Sequence, residues 1–225
     1  MIKKNIPNLI TAANLVAGCV GIFFAMQANF QYVLYCIIAA AIFDFLDGFV
    51  ARLLKVHSEI GKQLDSLADM VTFGVLSSFV MYQYLHSTGI GYYAFIAFLI
   101  AVLSAFRLAK FNVDTRQSDQ FIGLPTPANA LFICTLFLLK DNELFAFLFN
   151  EYGLVTVTFI FSFLLVAELP MIALKFKSFS LTANLYRYLV IIGAILLIVF
   201  MQFAAIPFII IYYILLSVVK NITSS

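Results

Sequence analysis

Charge is what this sequence has least of. Lys, Arg, Asp and Glu together supply 11% of its 225 residues, against 64% hydrophobic residues. A soluble domain sits nearer a quarter charged and half apolar, so there is too little polar surface here to coat a water-soluble globule. The net charge of +2 is too small to suggest a nucleic-acid partner. Cys19, Cys36 and Cys134 lie in apolar stretches with no Cys-x-x-Cys pair and no matching histidine. Unpaired cysteine is among the most buried residue types, and these three read as buried, inert thiols. No small-residue cleavage site follows Lys3, Lys4 and the first apolar run, so that run is expected to be a retained helix rather than a removed signal. With no soluble domain and no internal repeat in view, a single domain over 1–225 is expected.

What is abundant is apolar sequence in long blocks, each near the ~20 residues that cross hydrocarbon as a helix. They run over about 9–28, 31–54, 61–86, 91–112, 126–139, 152–174, 185–202 and 204–220. The expectation is an all-α, polytopic membrane bundle of about eight transmembrane helices, the fifth and last being short. The cations test this count. Lys3, Lys4, Arg52, Lys55, Lys62, Arg107, Lys110, Arg116, Lys175, Lys177, Arg187 and Lys220 sort to one side, and only Lys140 to the other. The positive-inside rule then puts both termini in the cytoplasm. The 26 Phe and 11 Tyr read mostly as lipid-facing bulk and interfacial anchors.

Against this background four carboxylates stand out. Asp44 and Asp47 are three apart on the second span and share a face. Asp65 and Asp69 are four apart on the third, with Gly61 a turn earlier and Thr72 just beyond. The loop between these spans is cytoplasmic by the charge argument, so the two pairs meet a few turns inside that surface. Four converging carboxylates in low dielectric need compensating cations. Arg52 and Lys62 are too few for an ion-pair network, and the deficit points to divalent metal. Carboxylate-only ligation suits Mg²⁺ or Mn²⁺, and two ions would clamp the attacking and leaving oxygens of a phosphoryl substitution. Gly48, Ala51 and Gly61 leave room for a ligand's close approach.

Asp44-Phe-Leu-Asp47-Gly48-Phe-Val-Ala51-Arg52, then Gly61, Asp65 and Asp69, resembles the signature of the CDP-alcohol phosphatidyltransferase family at all eight positions. At ~5% per residue type, chance produces this on the order of once in 10¹⁰ starting positions. The resemblance implies that Asp44, Asp47, Asp65 and Asp69 hold two divalent cations. It further implies that Asp69 is also the general base, that Gly48, Ala51 and Gly61 line a CDP pocket, and that Arg52 faces the phosphates. Catalysis is then carried by Asp69 and Asp65 among the metal ligands, with CMP as the leaving group.

Two flanking segments bear on the acceptor. Ile6-Pro7-Asn8-Leu9-Ile10-Thr11, followed by Asn14, reads either as capping at a helix start or as Asn8 and Thr11 facing the nucleotide. Ser104 to Asn112 carries Arg107 and Lys110, and is followed by Gly123-Leu-Pro-Thr126-Pro. The two cations are either snorkelling anchors or a pocket for a carboxylate, which Arg grips well. The proline-rich stretch would close one wall of that pocket. Over about residues 5–130 these segments resemble membrane-type phosphatidylserine synthases of Gram-positive bacteria, archaea and Bacteroidetes-like bacteria. That likeness implies CDP-diacylglycerol as donor and L-serine as acceptor, with Arg107, Lys110, Asn112 and Thr126 at the acceptor. It also implies a homodimer in the cell membrane with a cytoplasmic active site. Phosphatidylglycerophosphate and phosphatidylinositol-phosphate synthases share the signature, and their phosphorylated acceptors would also suit Arg107 and Lys110.

Glu168 is expected inside the sixth span, pairing with a basic residue or reaching the interface from a proline-kinked helix. His57 reads as a solvated loop residue, and His86 ends a span on the side away from the aspartates. Intramembrane carboxylates also mark cation transporters. A transporter would carry polar groups towards the outer side, and the outer halves of these spans hold almost none.

Overall fold

The computed structural model describes residues 2–56, 58–114, 121–174 and 180–224, and nearly all of them are helical. His57, Arg116, Lys175 and Lys177 lie outside these residues, as do the side chains of Lys3 and Lys4. Helices α1 (Ile2–Met26) and α2 (Phe30–Leu53) form a tight hairpin turned at Ala28, whose φ is 52°. Helix α3 (Glu59–Asp69) starts where the Ser58 hydroxyl accepts the Gly61 N–H at 3.2 Å, with Glu59 favourably placed in the first turn. A π-helical turn, Met70–Val75, joins it to α4 (Leu76–Ser87). A 3₁₀ segment, Gly91–Phe98, leads into α5 (Leu99–Val113). Helix α6 (Thr126–Thr135) begins after Pro125 and tightens to 3₁₀ geometry over Leu136–Leu139. Asn150 caps α7 (Glu151–Val166) by accepting from Gly153 N–H at 2.8 Å.

The last two helices, α8 (Leu181–Met201) and α9 (Ala205–Ser224), fold back on each other at Gln202, whose φ is 51°. Tyr212 donates to the Leu189 carbonyl at 3.0 Å and the Tyr186 and Thr223 hydroxyls meet at 2.7 Å, so the pair is antiparallel.

The burial pattern is the reverse of a water-soluble protein's. Thr11, Asn14, Asp47, Asp69, Thr72, Ser104, Arg107, Thr126 and Asn129 are buried, whereas Leu9, Phe45, Ile60, Phe106, Phe163 and Phe200 are exposed. Hydrocarbon is the natural solvent for such an outer face. The core runs along the π turn and α4, where Phe73 of the turn and Leu76, Val80 and Met81 of α4 pack with Ile100 of α5 and Ile133 of α6. Phe132 and Phe161 stack at 3.8 Å between α6 and α7.

Five apolar stretches are long enough to cross a membrane: Asn5–Met26, Phe30–Leu53, Glu59–Ser87, Gly91–Val113 and Asn184–Thr223, the last of which holds the α8–α9 hairpin. Thr126–Leu139 and Glu151–Val166 belong to the 10–17 residue class. At 1.5 Å per residue these reach at most about 25 Å, short of the ~30 Å core, so length alone does not bring the total to eight. The sixth span is shorter than expected. α7 ends at Val166, and Ala167 is already extended at ψ 140°. Pro170 disfavours helix in the residue before it and opens β2 (Pro170–Met171), which pairs antiparallel with β1 (Phe121–Ile122). Glu168 therefore lies beyond the helix rather than within it. Burial of the cysteines also needs correction. Cys134 is buried, Cys36 intermediate and Cys19 exposed on α1, because a lipid-facing helix surface accepts a thiol as readily as a core does.

The β ribbon and the end of α7 hold the Gly-Leu-Pro-Thr-Pro loop. Gly123 and Leu124 donate their N–H groups to Leu169 and Leu164 carbonyls at 2.9 and 2.8 Å. Gly123 has φ 79°, and a Cβ there would run into the Leu165 carbonyl and come within 3.2 Å of that of Ala167. Gly123→Ala is therefore expected to destabilise the protein by about 1–3 kcal/mol. The check is the thermal midpoint by circular dichroism in detergent, and an unchanged midpoint would refute the contact.

Candidate active site

The α1–α2 hairpin and α3 bring the signature carboxylates together. Asp44, Asp47 and Asp65 each offer an oxygen, and these oxygens all lie within 4.8 Å of one another. Asp69, a turn deeper on α3, is 9% exposed and within hydrogen-bonding reach of Asp44. Three carboxylates thus form the tight group, with the fourth set behind it.

Helix α1 orients them from the other side. The Thr11 hydroxyl donates to Asp47 Oδ2 at 2.6 Å, with the Pro7 carbonyl at 3.1 Å as its longer neighbour. Because α1 starts at Ile2, Pro7 lies inside it rather than at its start, so Asn8 and Thr11 are not caps. Asn14, a turn beyond Thr11 on the same face, donates from Nδ2 to Asp69 Oδ1 at 3.4 Å. Its backbone carbonyl accepts from Thr72 at 3.2 Å, inside the π turn. Gly18 lets that turn close on α1, since any Cβ there would meet the Thr72 backbone at 2.8 Å. Sequence reasoning gave Asn14 and Thr72 no role. The i, i+3 spacing of Thr11 and Asn14 was the available signal, but the π turn has no comparable one.

A cavity of ≈ 230 Å³ opens beside the carboxylates. Asn8, Thr11, Gly48, Ala51 and Gly61 line it, with Asp47, Asp65, Pro7, Val56, Ser58 and Lys62. A Cβ on Gly61 would sit 3.0 Å from Asn8 Oδ1, so the glycine sets how closely α1 and α3 approach. Arg52 is exposed and not among the lining residues. Its guanidinium stands beside Gly48 and within electrostatic reach of Asp47.

The residues expected at the acceptor separate. Arg107 is 7% exposed, donates from Nη1 to Thr126 Oγ1 at 2.9 Å and lies over the Phe111 ring at 5.5 Å. It is close enough to Asp69 and Asp44 to interact with both electrostatically. Lys110 instead pairs with Glu168 at 2.6 Å. Asn112 donates to Ser66 Oγ at 2.8 Å, and its carbonyl accepts from Lys62 Nζ at 3.1 Å, tying α5 to α3. Arg107 thus stands by the carboxylates with Thr126 as its partner, while Lys110 and Asn112 brace neighbouring elements.

Four carboxylates against Arg107 and Arg52 leave an excess of negative charge, and the donors are all oxygen. This set fits a hard divalent cation, with Asp44, Asp47 and Asp65 able to hold it.

A family model described as CDP-alcohol phosphatidyltransferase matches residues 4–223. The chain belongs to the CDP-alcohol phosphatidyltransferase family. Among curated relatives, it is similar to a CDP-diacylglycerol–serine O-phosphatidyltransferase of Helicobacter pylori strain J99. The two are 40% identical over 139 residues, 61% of this chain and 58% of that protein. The enzyme of the same name from Mycobacterium leprae is 37% identical over 143 residues, 60% of this chain and 47% of the relative. An archaetidylserine synthase of Methanothermobacter thermautotrophicus is 30% identical over 142 residues, 59% and 58% of the two chains. The chain thus spans about half the length of these curated relatives.

In this family member α1 orients two of the four carboxylates, Asp47 through Thr11 and Asp69 through Asn14. Losing such an outer partner typically costs 10–100-fold in metal affinity. Thr11→Val is expected to weaken Mn²⁺ binding by that factor, and Asp47→Asn by more, in an electron paramagnetic resonance titration of free Mn²⁺. Asp141→Asn, at an exposed site in the loop after α6, should leave the titration unchanged.

Proposed function

We propose that this protein transfers the phosphatidyl group of CDP-diacylglycerol to the hydroxyl of L-serine and releases CMP. The observation that carries this reading is the meeting of Asp44, Asp47 and Asp65, of which Asp47 and Asp65 line a cavity together with Asn8, Thr11, Gly48, Ala51 and Gly61. The relatives' names supply the donor and acceptor classes, and Arg107 supplies a cation suited to an acceptor carboxylate.

The nucleotide end of the donor lies in the cavity, where Gly48, Ala51 and Gly61 leave it room and Asn8 and Lys62 offer hydrogen bonds. Asp44, Asp47, Asp65 and Asp69 would hold two divalent cations, Mg²⁺ or Mn²⁺. When bound, these neutralise the diphosphate and the charge that builds up on the departing CMP. Serine enters with its carboxylate towards Arg107. Its hydroxyl passes a proton to Asp69, held from α1 by Asn14, as the oxygen bonds to the phosphorus that bears the lipid. The bond from that phosphorus to the CMP oxygen breaks, giving phosphatidylserine and CMP. Most of the rate enhancement is positioning and charge stabilisation.

The asymmetry of Lys and Arg puts the carboxylates on the cytoplasmic side of the cell membrane. CDP-diacylglycerol then enters sideways from the inner leaflet, and serine arrives from the cytoplasm. The homodimer that the resemblance implies is part of this proposal.

CMP release by the purified protein with CDP-diacylglycerol and Mn²⁺ or Mg²⁺, comparing serine, glycerol 3-phosphate and inositol 1-phosphate, tests it. Release is expected to need both serine and metal. Release only with a phosphorylated acceptor would keep the chemistry and overturn the choice of alcohol. Asp69→Asn is expected to lower turnover ~10²–10⁴-fold as a lost general base, and near-normal turnover at saturating metal would sink that role.

A further inference from the structure

Asn129 is fully buried near the start of α6, and neither atom of its amide has a hydrogen-bond partner. Ser104 Oγ and Arg107 Nε on α5 are buried and unpartnered as well. Buried polar atoms are nearly always hydrogen-bonded, and an unpaired one bears the full cost of its desolvation. These groups belong to one region. Ser104 and Arg107 are a turn apart on α5, and Thr126 and Asn129 a turn apart on α6. The Asn129 N–H donates to the Pro125 carbonyl at 3.0 Å, which fixes that first turn as helical. The Arg107–Thr126 bond of 2.9 Å then joins the two pairs. Ser104 also rests on the π turn after Asp69, 3.1 Å from where a Cβ on Gly74 would stand.

We infer that Asn129 is a specificity-determining residue, completing with Ser104 and Arg107 a polar subsite for the carboxylate and ammonium of an amino-acid acceptor. This rests on the acceptor proposed above and adds the groups that select it. Arg107 Nε is a free donor for a carboxylate. Asn129 Oδ1 and Ser104 Oγ are acceptors for an ammonium. A zwitterion satisfies both sets. A phosphomonoester brings no ammonium to Asn129 Oδ1 and Ser104 Oγ, and Lys110, the cation a turn from Arg107, is engaged by Glu168 at 2.6 Å. A site built to hydrogen-bond its substrate rejects analogues that leave its polar groups unpaired.

The test is CMP release by the purified protein with CDP-diacylglycerol and Mn²⁺, titrating serine against wild type, Asn129→Leu and Asn129→Ser. Both substitutions are expected to raise the serine KM at least ~10-fold and to leave the CDP-diacylglycerol KM within about twofold. The Leu variant should keep or raise the thermal midpoint, since an apolar side chain of similar volume removes two unpaired amide atoms. A serine KM unchanged in both variants overturns the inference. So does a joint rise in both KM values with a lowered midpoint, which marks Asn129 as a packing residue. Wild-type release that does not depend on serine overturns the acceptor reading itself, so the two failures are read from different samples.

Discussion

Four carboxylates inside an apolar bundle are the constraint on which the rest of this structure depends. In hydrocarbon a charge must be paired, hydrated or bound to metal, and the fold answers by enclosing these four among polar helix faces. Helix α1 turns Thr11 and Asn14 inward, and α5 turns Arg107 inward. The same residues could not face lipid, so the orientation of three helices follows from where the aspartates must be. The exposed outer surface of Leu, Ile and Phe is the complement of that arrangement.

The polar interior divides around Asp69. On one side α1, α2 and α3 make a cavity walled by small residues, where a bulky polar ligand can approach the carboxylates. On the other, α5 brings Arg107 up to Asp69 and Asp44, and Thr126 at the start of α6 holds its guanidinium. Asp69 has neighbours on both sides, Asn14 from α1 and Arg107 from α5. Such a boundary suits the proton-accepting role proposed for Asp69. The π turn directly after Asp69 changes the register of the continuing helix. It carries Thr72 to α1 and Gly74 to Ser104.

Much of this was legible in the chain. Asp44, Asp47, Asp65 and Asp69 announce themselves because a charge in an apolar run has few structural excuses, and helical spacing says which of them share a face. Gly61 was legible as a place of close approach, and the fold supplies the neighbour, Asn8. Other features were not legible. Glu168 looked intramembrane because Leu169 and Pro170 continue an apolar run, and hydropathy does not register the helix stop that proline imposes. Lys110 looked equivalent to Arg107 because both are cations one turn apart. Only the β1–β2 ribbon, which brings Glu168 back beside α5, separates them. Cys19 looked buried because apolar sequence does not distinguish a core from a lipid-facing surface.

By itself the sequence determined the class of protein, its dominant helicity, the acidic cluster and the family. Each of these rests on composition or on spacing within one short stretch of chain, and both are local properties. The tertiary structure decided which polar residues on different helices meet. Thr11 reaches Asp47 across 36 positions, Asn14 reaches Asp69 across 55, and Lys110 reaches Glu168 across 58. Such partners are chosen by how helices cross and where loops return, and a periodicity along one segment holds no information about that.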